Sequence, residues 1–100
     1  MRKLYIWAEP SAVLGHGTVV GKAMADDGEL LAEHYSSSLY WCKSDMGVGT
    51  SQRKHSLYRE YFGDERFEIV DLTDLTPKEL AEHVEFQQAF AKEPTGEQPA

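Results

Sequence analysis

Four cations, Lys43, Arg53, Lys54 and Arg59, fall between His34 and Glu60, where only Asp45 and Glu60 oppose them. That segment carries a net +2, so the remainder of the chain carries −9 within the whole of −7. The same stretch holds Tyr35, Tyr40, Trp41 and Tyr58, the run Ser36-Ser37-Ser38, and the loop Gly47-Val48-Gly49-Thr50-Ser51. Cations neutralise phosphate or carboxylate, curled backbone N–H groups and hydroxyls donate to anionic oxygens, and rings stack on planar bases. The mixture suits an anionic, planar ligand such as a nucleotide.

Gly47 and Gly49 let the backbone curl so that successive N–H groups converge, and Thr50 and Ser51 add hydroxyls. A helix starting after Ser51 would place Arg53, Lys54 and His55 in its first turn, with Tyr58 one turn on. Cations there oppose the helix dipole, so a bound anion would offset a local cost. The competing reading is an ordinary interhelical turn with solvated basic residues. No Gly-Lys-Ser/Thr follows the glycines, so this is not a phosphate-binding Walker loop, and the strand and spacing of a dinucleotide fingerprint are missing.

Ser37 and Ser38 offer hydroxyls to phosphate or ribose, or else simply cap a helix. Tyr40 and Trp41 cannot both face a core, because adjacent helix positions lie about 100° apart. One of them is expected at a surface, where it would stack on a base, and Lys43 sits beside them. Tyr35 and Tyr61 read as core residues. No strained Gly-x-Ser-x-Gly turn presents a nucleophile. Cys42 reads either as a nucleophile near His34 or His55 or as a small buried residue. His16, His34, His55 and His83 are scattered, so neither a metal site nor a cofactor is expected.

The elements that must position these groups are legible in part. Lys3 to Trp7 alternates large β-favouring side chains and predicts a strand, stopped at Glu9-Pro10. Thr18 to Ala25 predicts a second, antiparallel strand, with Gly21 marking a bulge or a close approach. Asp26-Asp27 offers an N-cap, and Leu30, Leu31, His34 and Tyr35 supply a helical face, so a helix is expected there. Further helices are expected over Leu39 to Met46 and Gln52 to Phe62, and a strand over Arg66 to Leu72. Thr76-Pro77-Lys78-Glu79 is a capping box with proline at the first helical position, opening a helix to about Lys92. The expected fold is α+β: a small, mostly antiparallel three-stranded sheet with helices packed on one face. Residues 1–92 are expected to form a single domain, and 93–100 a disordered tail.

At 100 residues and 41% hydrophobic, with eleven aromatics, the chain bounds one small, thin-cored domain, which a partner or a second copy would help to complete. The acidic balance argues against a general nucleic-acid binder. It permits a solvated acidic protein or a decoy imitating DNA, since residues 61–100 alone carry −7. One cysteine, no signal-peptide core and no membrane-length apolar run predict a soluble, cytoplasmic protein.

The opening KLYIW, the SSS run followed by an aromatic and DMG, the KH-x-x-Y step and the acidic end of the last strand resemble small accessory proteins of tailed bacteriophages. The resemblance covers residues 3–72 as short fragments and carries no functional residue across. The chain departs from that pattern in the apolar LYWCKS helix and the long acidic final helix. The resemblance implies a cytoplasmic counter-defence protein of the infected cell, of the kind that sequesters a cyclic or other nucleotide-derived immune signal without cutting it. The alternative is an acidic inhibitor whose Asp71–Glu93 region meets a basic host surface, such as a nuclease or polymerase groove, with charge reversal of Glu79, Glu82 and Glu85 as its test. A small enzyme using Cys42 or a histidine stands behind both.

Overall fold

The computed structural model describes residues 2–11, 18–46 and 67–92. They form β1 (Arg2–Pro10), β2 (Val19–Ala25), β3 (Leu30–Ser36), α1 (Leu39–Met46), β4 (Phe67–Asp71), α2 (Pro77–Glu82) and α3 (Val84–Phe90). The architecture is α+β, with one four-stranded mixed sheet in the order β3-β2-β1-β4. The expected helix over residues 52–62 and the tail at 93–100 lie outside the described residues. No described helix is long and apolar enough to cross a membrane.

β1 is the spine. It runs antiparallel to β2, from Leu4 opposite Ala25 to Pro10 opposite Val19. On its other side it runs parallel to β4, from Arg2 beside Phe67 to Ile6 beside Asp71. Leu4, Tyr5, Ile6 and Trp7 are all buried. Both parities of β1 are therefore apolar, as in a strand covered on both faces. This overturns the expectation of helices on one face only. Leu4, Ile6 and Ala23 pack with Cys42 and Met46 of α1. Tyr5, Trp7 and Met24 pack on the other face with Leu72, Leu80, Phe86 and Ala89, beneath α2 and α3.

The expected helix after Asp26 is instead the third strand, β3, paired antiparallel with β2. Gly28 has φ 90, open to glycine and costly for most residues, and it turns the chain through Asp26–Glu29. The Ala25 N–H donates to the Glu29 carbonyl at 2.9 Å, and Asp27 Oδ1 accepts the Glu29 N–H at 3.0 Å. Asp26 caps no helix. Its carboxylate accepts the Lys3 backbone N–H at 2.9 Å and the Arg2 Nε–H at 3.2 Å, pinning the start of β1 to the hairpin.

Gly21 marks a close approach. A Cβ there would collide with the side chain of Met46 and stand 2.7 Å from Cys42 Sγ. The notch lets α1 lie flat on β2. At the other end, the Thr76 capping box forms as the sequence predicts, with the Glu79 N–H donating to Thr76 Oγ1 at 3.1 Å and the Thr76 N–H to Glu79 Oε1 at 2.9 Å. The helix it opens does not continue to Lys92. His83, with φ −79 and ψ 107, breaks it, and His83 Nδ1 accepts the Phe86 N–H at 3.1 Å to start α3.

Candidate functional site

The site lies where the end of β3 meets α1. Ser38 is the structural hinge between them. Its hydroxyl accepts the Trp41 N–H at 3.3 Å and its carbonyl accepts the Cys42 N–H at 2.9 Å, which starts the helix. Cys42 and Met46, one turn apart, face the sheet and are fully buried. That orientation leaves Tyr40 and Trp41 both outside, 67% and 54% exposed. Their rings meet edge to face, with centroids 5.0 Å apart and planes at 79°.

Trp41 and Asp45 are also one turn apart, so they share the side of α1 that faces β3. Strand alternation brings His34 and Ser36 to that helix. His34 Nε2 donates to Asp45 Oδ2 at 2.8 Å, and the Ser36 hydroxyl stands 3.5 Å from the same oxygen, at the limit of bonding. An open hollow of about 420 Å³ results, lined by His34, Tyr35, Ser36, Ser37, Trp41 and Asp45. An indole forms one wall, two hydroxyls are within reach, and a carboxylate is held in place by an imidazole.

Of the residues the sequence singled out, Ser37 and Trp41 line this hollow, Tyr40 extends its aromatic wall, and Ser38 serves as the helix cap. Lys43 does not join them. Its ammonium donates to Asp74 Oδ1 at 2.8 Å, on the far side of α1, and its charge is already engaged. Gly47, Gly49, Thr50, Ser51, Arg53, Lys54, His55 and Tyr58 lie outside the described residues, as does Tyr61. Tyr35, expected in the core, is 46% exposed at the hollow, because the segment is an outer strand and not a helix. His34, Ser36 and Asp45 were missed as site residues for the same reason. Read as a strand, the segment puts His34 and Ser36 on one face, and that signal was available.

The Cys42 thiol is buried, and burial pushes its pKa up from the ordinary value, against a hydrogen bond with Ser36 that pulls it down. Burial therefore disfavours the thiolate, and the side chain packs in the core with Met46. The hydroxyl, imidazole and carboxylate do not form a relay, since Asp45 contacts both Ser36 and His34 where a nucleophilic triad would run serine to histidine to carboxylate. Among the described residues no group of three or more His, Cys, Asp or Glu side chains is placed to hold a metal ion. No protein-family model, curated protein or solved structure matches the chain.

Proposed function

We propose that the protein is a non-enzymatic binder that captures and sequesters an anionic, nucleotide-type signalling molecule, with the nucleoside half in the β3–α1 hollow. The observation that carries this reading is the exposure of Trp41, together with Tyr40, beside hydroxyls and a fixed carboxylate. A base stacked on such a ring gains about 1–3 kcal/mol. Asp45 and Ser37 are suited to accept and donate hydrogen bonds with ribose hydroxyls, as acidic residues do in dinucleotide sites. The phosphates fall to Arg53 and Lys54, by their charge in the sequence. The resemblance to phage accessory proteins supports sequestration, and a counter-defence role, over turnover.

The competing reading, an acidic inhibitor docking through the Asp71–Glu93 region, has two of its carboxylates already in use. Glu79 closes the capping box and Glu85 pairs with Lys3.

Thermal shift against cyclic di- and trinucleotides and ADP-ribose derivatives tests the proposal. A true ligand at 100 times its Kd stabilises the fold by about 2.7 kcal/mol. Trp41→Ala should weaken that ligand by roughly 5- to 150-fold, the equivalent of one lost stacking contact. Mass spectrometry should recover the ligand intact after incubation. The absence of any shift across the panel, or binding indifferent to Trp41→Ala, overturns the assignment.

A further inference from the structure

A second cavity lies on the opposite face of the sheet. It opens between α2–α3 and the strands β1 and β2, and holds about 410 Å³. That is within the range of small-molecule sites. Trp7, Leu80, Phe86 and Phe90 supply its apolar surface. Trp7 and Phe86 are locked edge to face, at 4.8 Å and 72°, so this surface is already formed without a ligand. Phe90 is 46% exposed, tilted against Phe86 at 5.8 Å, and leaves the mouth open.

The polar end of the cleft is Glu9 and Lys22. The Lys22 ammonium is 2.7 Å from Glu9 and 4.0 Å from Glu33, so two carboxylates already serve one cation, and the three groups sum to −1. An incoming carboxylate would have to displace Glu9 from Lys22 and would raise the local negative charge. An incoming ammonium would add to the group, shared by Glu9 while Lys22 keeps Glu33. The net −7 of the chain pulls the same way.

We propose that this cleft is a binding site for a small arylalkylamine, its ring against Trp7, Phe86 and Phe90 and its ammonium at Glu9. The site is separate from the β3–α1 hollow and does not depend on the nucleotide reading.

Phenethylamine, hydrocinnamate and phenethyl alcohol form a matched set of cation, anion and neutral on one ring. Each is titrated into the full chain while proton–nitrogen correlation spectra follow the Trp7 and Trp41 indole N–H signals. Phenethylamine should move the Trp7 signal saturably and leave Trp41 still, with hydrocinnamate weaker by about tenfold or more. Glu9→Gln should weaken the amine by about tenfold and leave the alcohol unchanged. Ala81→Phe, at an exposed position lining the cleft, should block all three probes with the Trp41 signal intact. Trp41→Ala should leave amine binding unchanged, which separates this test from that of the hollow. No saturable change at Trp7, equal binding of the carboxylate, or indifference to Glu9→Gln overturns the proposal.

Discussion

On one face of the sheet, Trp7 is 3% exposed and lies edge-on to Phe86 under α3. On the opposite face, α1 packs through the sulfur side chains of Cys42 and Met46 and holds Trp41 outward, 54% exposed. The two coverings are built differently. Under α3 the large rings are the packing, and each buried aromatic removes a wide apolar surface from water. Under α1 the contact is close and thin, made possible by the missing Cβ of Gly21, and the rings are left over for something else. One face commits most of its ring surface to stability and leaves Phe90 at the mouth of a cleft, and the other leaves both rings of α1 outside the packing.

The sharpest way to break that contrast is Phe86→Ala. It removes the ring shared by Tyr5, Trp7 and Phe90 and should cost about 3–5 kcal/mol in chemical denaturation. A loss below about 1 kcal/mol, the ordinary cost of an average substitution, would mean that α3 is not the stabilising cover described. Gly21→Ala probes the other face. The added methyl meets Cys42 and Met46, and the overpacking should cost about 1–3 kcal/mol. A neutral outcome would show that α1 stands further from β2.

A smaller effect comes from the hairpin that both faces share. The Lys3 backbone N–H holds the Asp26 carboxyl below the usual carboxylate range, burial opposes this, and Arg2 adds to it. A depressed folded-state value means stability that is present above the unfolded value and lost as pH falls through the folded one. Asp26→Asn should therefore be less stable at neutral pH, by about 0.2–1 kcal/mol given the exposure of the pair. The difference should vanish in strong acid, as thermal melts across pH would record. The smallest expected effect belongs to Trp41→Ala, within about 0.5 kcal/mol of the parent by denaturation. A larger loss would place Trp41 among the packing groups and remove the contrast with Trp7.

Local signals carried much of the fold into the sequence. The alternation of β1, β2 and β4, the Ser38 start of α1 and the Thr76 capping box all depend on residues a few positions apart. β3 was misread because Leu30, Leu31, His34 and Tyr35 fit a helical period better than Ala32-His34-Ser36, the face turned to α1, fits an apolar strand. The Asp27-Gly28 pair, a hairpin signal, decides between them. The direction of β4 against β1 leaves no trace in either strand, since alternation is the same in both senses. The division at His83 carries neither glycine nor proline, because a histidine ring nitrogen supplies the cap.

The same distinction governs the candidate site. Ser37 and Trp41 could be named from type alone. Lys43 was assigned to the ligand because its charge is visible in sequence, whereas its engagement with Asp74 arises only when distant segments meet. The pairing of His34 with Asp45 also depends on register, as a strand and a helix must be docked before those side chains touch.

The parallel pairing of β4 with β1 also sets an order of assembly on the ribosome. The meander of β1, β2 and β3 can close early, yet β4, α2 and α3 arrive only with residues 67–90. At about 5–20 residues per second, translation leaves Tyr5, Trp7 and Met24 uncapped for seconds on a sheet with its β1 flank unmatched. A nascent chain paused in that interval would present an adhesive apolar surface and an open strand edge to other chains.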